Sequence, residues 1–239
     1  MPARSGALAA AQGGVPVFTY HMVAWRIPND PIGNALTITP QQLRTQLETL
    51  QRLGLHTMTA ANLVAEIARG AGLPRRTVVL TFDDGYQNAR TEVLPLLRRY
   101  HAVATFYLIS STIGTARHLR WSDVRALKSA GMEIGAHGRE HVDLTELDAT
   151  GQFAQVNACR RALRRWAMVE AQTYAYPSGR YNATTLAVMR RSGLAAAFTE
   201  DYGEVRSLSQ PYRLPRIRVL RESAVPAFSA IAEAVRAGS

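Results

Sequence analysis

The sequence is almost free of cysteine, since Cys159 is the only one among its 239 residues. One cysteine cannot build an internal disulfide framework or a cysteine-rich zinc site, so both are excluded. Cys159 lies at roughly helical spacing from Phe153, Val156, Leu163 and Trp166. This spacing predicts a buried core position, which is the usual place of a free cysteine, rather than a reactive thiol.

Long apolar stretches are also lacking, and no segment has the length and apolar character of a membrane-spanning helix. The first fourteen residues are small and polar with a short alanine-rich patch, which is too weakly apolar for a secretory signal. We therefore expect residues 1–14 to be a flexible leader. Residues 15–239 are long enough, at an apolar content of 47%, to form one domain with a sizeable core.

Acidic residues are scarce, with 18 aspartates and glutamates against 28 lysines and arginines, so the net charge is +10. A basic surface favours acidic partners such as nucleic acid, an anionic cell wall or a membrane surface. The arginine pairs are scattered over several predicted helices, which favours ordinary solvated helix faces. No helix-turn-helix, zinc-finger or RNA-binding aromatic motif is present, so we expect no specific nucleic-acid partner. The pairs include Arg98-Arg99, Arg160-Arg161, Arg164-Arg165 and Arg190-Arg191.

Strand-like and helix-like segments alternate along the chain. Short apolar runs rich in β-branched residues predict strands at Val15–Tyr20, Thr77–Phe82, Val103–Ile109, Met132–Ala136, Thr173–Tyr176, Ala195–Phe198 and Arg216–Leu220. Apolar stripes with capping residues predict helices from Thr39-Pro40 to Gly54, from Thr59 to Gly70, and at Gln87–Tyr100, Ser122–Ala130, Leu147–Ala167 and Ala183–Ser192. Ser122 and Asn182 are predicted N-caps, and Gly131 and Gly193 are predicted helix stops.

This alternation predicts an α/β fold with a parallel sheet. We expect a single-domain, distorted (β/α) barrel of about seven or eight mostly parallel strands, with a doubly wound open sheet as the alternative. No sequence repeat and no internal linker divides the chain. In a barrel, the loops at the carboxyl ends of the strands carry the chemistry. Candidate functional residues are therefore sought directly after the predicted strands.

Two adjacent carboxylates follow the predicted strand Thr77–Phe82, in the sequence Asp83-Asp84-Gly85. Such neighbours repel one another and lose hydration at a strand end, where an ordinary turn uses one aspartate before glycine. A metal ion changes that balance, because one carboxylate can bind it while the other holds a water molecule. For the dipeptide alone, a surface turn is the alternative.

Two histidines four residues apart, His137 and His141, follow another predicted strand. If the segment is helical, both imidazoles share one face and can reach a single metal ion. A pair with this spacing is weak evidence by itself, because exposed histidines are common. Together with one of the aspartates, however, the pair completes a three-ligand set that leaves positions open for water and substrate.

A third segment, Tyr174–Asn182, runs from a predicted strand through Pro177-Ser178-Gly179 into a predicted helix. Proline, serine and glycine form turns by ordinary backbone chemistry. The functional interpretation is a rigid turn that points a backbone N–H into the site.

These three segments resemble the polysaccharide deacetylase family, also called the NodB homology domain or carbohydrate esterase family 4. The first family motif is matched in full by Thr81-Phe82-Asp83-Asp84-Gly85. The family's histidine pair is matched by His137 and His141, although Gly138 stands where serine or threonine is usual. The resemblance extends over about residues 15 to 225 and implies that residues 15–239 are the catalytic domain.

The remaining motifs resemble the branch of the family that acts on poly-N-acetylglucosamine of biofilms. Pro177 and Gly179 fit the third motif, but Ala175 occupies the position of an arginine. Tyr20-His21 matches the strand end with which that branch begins, and Arg216–Val219 matches its closing strand. The usual C-terminal histidine motif is absent from the sequence, and in this branch the histidine comes from the N-terminal strand.

The resemblance implies a metal-dependent hydrolysis of N-acetyl groups on an amino-sugar polysaccharide of the poly-N-acetylglucosamine, chitin or peptidoglycan type. Asp84, His137 and His141 would hold one divalent ion, with Zn²⁺ first and Co²⁺ or Ni²⁺ as alternatives. Asp83 would be the general base, and the metal and the backbone N–H of Ser178 would hold the oxyanion. The products would be acetate and a free amine. The family resemblance also suggests a location outside the cytoplasm.

In the same scheme His21 would protonate the departing amine. His21 is the one remaining histidine at the carboxyl end of a predicted strand, and we expect a nearby carboxylate to raise its pKa. Arg216 is a candidate substitute for the missing third-motif arginine. Candidates for stacking on sugar rings are Tyr86, Trp121 and Tyr181, although core or rim packing is the favoured explanation for each of them.

Alternatives from other functional classes stay open at this point. A same-fold amidase acting on a small amide would need a closed site, and acetylated xylan is another possible polymer. A non-catalytic, basic carbohydrate-binding relative is disfavoured, because both aspartates and both histidines are present. Metal-independent, salt-dependent binding of DNA would support a nucleic-acid protein instead. The oligomeric state is not indicated by the sequence.

Overall fold

The computed structural model describes residues 13–26 and 29–238. The expected flexible leader falls mainly on residues 1–12, which lie outside this range, so it stays a prediction. The described residues form eleven strands, which in chain order are β1 Val15–Tyr20, β2 Met22–Val23, β3 Thr37–Ile38, β4 His56–Met58, β5 Thr77–Phe82, β6 Thr105–Leu108, β7 Glu133–Ala136, β8 Thr173–Ala175, β9 Ala196–Tyr202, β10 Glu204–Val205 and β11 Leu214–Arg218.

Eight α-helices connect these strands within the described range. In chain order they are α1 Pro31–Leu36, α2 Pro40–Leu53, α3 Ala60–Ala68, α4 Leu94–Arg99, α5 Trp121–Ser129, α6 Ala149–Ala167, α7 Ala183–Arg191 and α8 Ala224–Ala237. No helix in this part of the chain is both long enough and apolar enough to cross a bilayer.

Seven parallel strands close into a barrel in the order β1-β11-β9-β8-β7-β6-β5, and β5 pairs with β1 to complete the ring. The short β4 pairs with the first half of β5, on the edge that β6 occupies along the second half. This shared edge is the distortion of the barrel. The prediction of a single-domain α/β barrel is therefore confirmed, and the open doubly wound sheet is excluded by the β1–β5 pairing.

The strand β1 is the element that closes the ring. It is buried along its whole length and pairs in parallel with β5 on one side and β11 on the other. At the amino ends of the strands, Gly13 and Gly238, the first and last residues that the structure describes, line the same cavity.

Helix boundaries follow from local capping chemistry. Thr39 accepts a hydrogen bond from the backbone of Gln42 in a reciprocal capping box, and Gly54 ends the same helix with φ of 65°. Asn182 caps α7 as predicted. The prediction for Ser122 was wrong, because α5 begins one residue earlier and Arg120 occupies the N-cap position. There the Asp123 carboxylate accepts from the Arg120 N–H at 2.9 Å, which satisfies that end of the helix.

The segment Gln87–Tyr100 is less regular than predicted. Ala89–Val93 forms a wide π-helical turn before α4, where Pro95 lacks the N–H that a regular turn needs. The outward-facing α8 was not predicted at all. It packs Phe228 against Phe18 of β1 at a ring-centroid distance of 4.5 Å, and its alanine-rich sequence contains Pro226, which weakens the helical pattern.

Cys159 of α6 is fully buried, which confirms the prediction of a core position. Its thiol donates to the carbonyl of Leu108 at 3.2 Å, and burial raises the pKa of the thiol to about 11. Val156 and Leu163 are buried beside it, whereas Phe153 and Trp166 on the same helix are exposed. The thiol has no role at the barrel mouth.

Candidate active site

The segments selected from the sequence meet at the carboxyl ends of the parallel strands. Asp83 and Asp84 follow β5, His137 follows β7 and His21 follows β1. His21, Asp84 and His137 line an open cavity of about 530 Å³ at the mouth of the barrel, whereas Asp83 is buried and is not part of its lining. Its lining residues include His21, Asp84, Tyr86, His118, His137, His141, Ser178, Glu200 and Arg218.

Asp84, His137 and His141 face one another across this cavity. Asp84 Oδ1 lies 3.4 Å from His137 Nε2 and 3.7 Å from His141 Nε2. The three ligand atoms lie within 4.8 Å of one another, a spacing that suits a single metal ion. His137 Nδ1 lies 2.8 Å from the Ala175 carbonyl and donates to it in the tautomer that leaves Nε2 as the acceptor facing the cavity.

The donor set fits a divalent cation by a further observation. Asp84 Oδ1 is buried, yet it has no hydrogen-bond partner among the described residues. A buried carboxylate oxygen without a donor is costly, and a cation between it and the two imidazoles would satisfy it. Burial alone would raise the pKa of Asp84, but the neighbouring imidazoles, His137 foremost, outweigh it and hold that pKa below the usual value.

The backbone turn after β5 separates the two aspartates. Asp84 has φ of 71° and Gly85 has φ of 78°, so the chain reverses direction immediately after Asp83. Aspartate tolerates the left-handed region better than most residues, but the conformation is still uncommon and often marks a functional site. As a result Asp84 points to the histidines, whereas Asp83 points into the barrel.

Asp83 is held by Arg216 of β11 in a bidentate ion pair. Arg216 Nη1 and Nη2 donate to the two carboxylate oxygens at 2.9 and 2.8 Å, and Arg216 Nε donates to the Thr199 carbonyl at 2.9 Å. The Arg216 side chain is only 1% exposed. Burial by itself would raise the pKa of Asp83, but the guanidinium outweighs it and keeps that pKa below the ordinary value. Arg216 thus lies where it can replace the arginine missing at Ala175.

Removing Arg216 should destabilise the protein strongly. We expect Arg216→Met to lower the free energy of unfolding by about 3–5 kcal/mol at neutral pH, because it leaves the Asp83 charge buried without a partner. Since pairing lowers the pKa of Asp83 in the folded state, the pair stabilises above the unfolded-state pKa and loses that effect as pH falls through the folded-state pKa. The deficit of the variant, measured by denaturant unfolding, should therefore shrink on acidification.

The double variant Arg216→Met/Asp83→Asn is the matched control, because it removes both charges. Its unfolding free energy should recover much of the loss. Equal instability of the single and double variants would contradict the assigned ion pair.

His21 lies beside Asp83 and Glu200, with its candidate ligand atom within 4.8 Å of theirs. Its Nδ1 is buried and has no hydrogen-bond partner among the described residues. The expectation that a nearby carboxylate raises the pKa of His21 was wrong. Burial lowers that pKa, and the opposing charges of Asp83 and Asp84 are too weak to reverse the direction.

Glu200 and Arg218 are site residues that the sequence analysis missed. Glu200 is ion-paired with Arg218, and both line the cavity. The strand predicted at Ala195–Phe198 continues to Tyr202 in the structure, and this extension carries Glu200. Thr199, Glu200 and Asp201 are all polar, so no alternation of apolar and polar residues signals this extension in the sequence.

The third-motif turn adjoins Glu200. Ser178 has φ of 54°, and its exposed side chain lines the cavity. Gly179 has φ of 68°, and a Cβ there would lie 2.6 Å from Glu200 Cβ and 2.8 Å from its backbone nitrogen. Only glycine therefore fits, because both the backbone conformation and the close approach exclude a side chain.

Of the predicted stacking residues, only Tyr86 lines the cavity. The Tyr86 ring stacks on His118 at a centroid distance of 5.3 Å. Burial, and to a smaller extent the negative charge of Asp84, raise the pKa of the Tyr86 hydroxyl to about 12. His118 does not follow a predicted strand, but an isolated bridge to Tyr86 brings it to the site. Trp121 packs against the main core instead, and Tyr181 stacks on Tyr176 at 5.5 Å, outside the cavity lining.

Gly138, where the family usually has serine or threonine, has φ of 90°. A Cβ at this position would lie 2.9 Å from the Glu140 carbonyl oxygen. The glycine thus belongs to a loop conformation that a larger residue would strain.

Comparison with known proteins agrees with this geometry. The family model described as polysaccharide deacetylase matches residues 70–197, which is more than half of the chain. YxkH of Bacillus subtilis is 24% identical over 222 residues, covering 93% of this chain and 77% of that protein. The poly-β-1,6-N-acetyl-D-glucosamine N-deacetylase of Staphylococcus epidermidis is 23% identical over 201 residues, covering 78% and 69%.

A solved structure is similar over most of the chain. The Streptococcus pyogenes deacetylase PplD, in complex with acetate, aligns with a TM-score of 0.81 and 26% identity. The alignment covers 87% of this chain and 92% of that one. Because the family model matches more than half of the chain and the strand-end residues agree with it, this chain belongs to the polysaccharide deacetylase family.

Proposed function

We propose that the protein is a metal-dependent hydrolase that removes N-acetyl groups from an amino-sugar polysaccharide and releases acetate. The observation that carries the proposal is that a group of metal-ligand side chains lies next to an ionised carboxylate that could act as a base. A three-ligand cluster of Asp84, His137 and His141 lies beside Asp83, a carboxylate that Arg216 keeps ionised. A cation site next to a positioned base is one arrangement that catalyses the hydrolysis of an unactivated amide.

The cation would be held by Asp84, His137 and His141, with Zn²⁺ as the first candidate and Co²⁺ or Ni²⁺ as alternatives. When bound, it supplies the positive charge that polarises the acetamide carbonyl and makes a water molecule more acidic. The mixed carboxylate and imidazole ligands suit such an ion, and three protein ligands leave room for substrate.

Asp83 takes a proton from the attacking water molecule while the oxygen of that water bonds to the carbonyl carbon of the acetyl group. The Arg216 ion pair fixes the position of that carboxylate and keeps it unprotonated at neutral pH. The backbone N–H of Ser178, in the turn that lines the cavity, donates to the oxygen that becomes negative. The C–N bond then breaks as the nitrogen receives a proton, and acetate leaves.

We assign that protonation to His21. Since its pKa is lowered, the imidazole is neutral in the resting protein and must acquire a proton during the reaction. Asp83 is the source, because its carboxylate lies within 4.8 Å of His21 and has just taken the proton of water. Glu200, equally near, stabilises the imidazolium that forms.

Replacing His21 by alanine should separate amide from ester hydrolysis. An amide nitrogen leaves poorly without a proton, whereas the phenolate of an activated acetate ester leaves unaided. We expect His21→Ala to keep its metal and to lose about 100-fold or more in turnover of an N-acetylated oligosaccharide. Hydrolysis of p-nitrophenyl acetate should change little. An equal loss on both substrates would show that His21 is not the acid.

An extended groove favours a polymer over a small amide. A second cavity of about 910 Å³ adjoins the metal cavity and shares Tyr86 with it. Its lining is rich in hydrogen-bonding side chains, including Arg26, Asn29, Gln87 and Asn88. Such groups suit sugar hydroxyls, so neighbouring sugar residues would lie there while one N-acetyl group occupies the metal cavity.

Acetate release from a panel of polymers tests the proposed function. The panel contains poly-β-1,6-N-acetylglucosamine, chitin oligomers, peptidoglycan and acetylxylan, each in short and long forms. We expect release from N-acetylated amino sugars, with a rate that rises with chain length. Because a relative is named for poly-N-acetylglucosamine deacetylation, we propose that polymer as the first candidate. Release only from a small amide, or only from acetylxylan, would contradict the proposal. These polymers lie at the cell surface, so we place the reaction outside the cytoplasm.

A further inference from the structure

An exposed surface at the other end of the barrel carries both cations and large apolar side chains. We call it the basic–aromatic patch; it is formed by the ends of α5 and α6 and comprises Arg125, Lys128, Arg161, Arg164, Arg165, Trp166 and Met168. Trp166 is 51% exposed and Met168 is 72% exposed. Arg165 lies over the Trp166 ring at 4.9 Å from its centroid, so cation and aromatic face solvent together.

The backbone of this patch is fixed rather than frayed. Arg125 donates to the Trp166 carbonyl at 2.9 Å, and Lys128 donates to the Met168 carbonyl at 2.6 Å. Met168 has φ of 53° at the end of α6, and the following Val169 is buried. The turn thus anchors itself through Val169 and presents Met168 outward, although a polar residue or glycine would suit that exposed position at lower cost.

Ordinary helix electrostatics explains only half of the patch. Cations near the last turn of a helix complement its dipole, and this accounts for Lys128 of α5 and for Arg164 and Arg165 of α6. It does not account for a tryptophan and a methionine exposed beside Arg161 and Arg165. Within 125–129 and 160–171 there are six basic residues and one acidic residue, Glu170, so the local charge is strongly positive.

We propose that the basic–aromatic patch binds the surface of an anionic lipid bilayer. Arginines attract anionic headgroups, and tryptophan partitions into the interface between headgroups and acyl chains. Trp166 and Met168 supply the apolar contact that an anionic polymer in water would not need. The positive charge and the exposed apolar side chains thus complement the same partner.

The position of the patch fits this role. The helices α5 and α6 end just before β7 and β8 begin, so their last turns lie at the amino ends of the strands. The proposed catalytic cavity lies at the carboxyl ends. A protein bound through the patch therefore keeps its cavity directed away from the bilayer and open to polymer.

Co-sedimentation with vesicles tests this inference, which does not depend on the proposed catalytic function. The probes are phosphatidylcholine vesicles with and without phosphatidylglycerol, at low and high salt. We expect binding only to the anionic vesicles, weakened by salt. Arg161→Glu/Arg165→Glu should bind at least about 100-fold more weakly, and Trp166→Ser/Met168→Ser about tenfold more weakly.

The matched control is Arg98→Glu/Arg99→Glu, which makes the same charge change at the end of α4, where the adjacent aromatic residue, Tyr100, is only partly exposed and its hydroxyl donates to Glu48. It should bind vesicles like the unaltered protein. The inference is overturned if the unaltered protein ignores anionic vesicles at low salt, or if the control variant loses as much binding as Arg161→Glu/Arg165→Glu. Unchanged binding of Trp166→Ser/Met168→Ser would also overturn it and would point to a soluble anionic polymer instead. Unaltered melting temperatures confirm that each variant is folded.

Discussion

Asp83→Asn is expected to keep its bound metal and to lower deacetylation turnover by about 100- to 10,000-fold, the usual range for loss of a general base. Each oxygen of the carboxylate accepts one hydrogen bond from Arg216 and keeps a lone pair for a proton, and Asp83 does not belong to the cluster formed by Asp84, His137 and His141. An asparagine of the same shape can still occupy the position, but it cannot accept a proton from water.

Asp84→Asn is the comparison that makes this result specific. The two aspartates are adjacent, but the positive φ of Asp84 directs them to different partners. We expect Asp84→Asn to lose metal as well as activity, because its Oδ1 is the atom nearest to both histidine nitrogens. Metal content by elemental analysis and turnover by acetate release measure the two effects separately. Equal metal loss in both variants would mean that the roles of Asp83 and Asp84 are assigned wrongly.

Stripping the metal should abolish deacetylation, and adding back Zn²⁺, Co²⁺ or Ni²⁺ should restore it. The buried Asp84 Oδ1 has no hydrogen-bond partner among the described residues, and a cation bound between it and the two imidazoles would satisfy it. We expect His137→Ala to bind metal more than about 100-fold more weakly, since even outer partners of metal ligands contribute 10- to 100-fold to affinity.

His118→Ala is the control for the metal experiment. His118 lines the same cavity and stacks on Tyr86, but it is not a member of the metal cluster. Its replacement should leave the metal affinity unchanged, as measured by titrating the variant with metal. Full deacetylase activity of the metal-free protein would refute the central proposal.

Features encoded by short stretches of chain were predictable. The strand at Thr77–Phe82 and the helix from Pro40 to Gly54 depend on neighbouring residues, and both have the predicted bounds. The convergence of Asp84, His137 and His141 follows from a general property of parallel barrels, whose strands all end at one face. The strand-end positions of these residues in the sequence therefore predict that they meet.

Features that depend on packing between distant residues were not predictable in the same way. The contact of Arg216 with Asp83 joins residues 133 positions apart, and only the ring closure through β1 and β11 brings them together. The direction of the His21 pKa shift depends on how completely the cavity excludes water, which no local pattern reports. His118 reaches the site through a loop contact for the same reason.

The barrel closure has a consequence for the order of the site residues along the chain. Because β1 lies between β5 and β11, and Gly13 and Gly238 line one cavity, the described chain is nearly circular in space. A circular permutant, joined across that cavity and opened in an exposed loop, would keep the same strand neighbours. The first strand can therefore supply His21 to a site whose other residues come from later strands. In such a ring the linear position of a catalytic residue is free to change, while its place around the barrel is not.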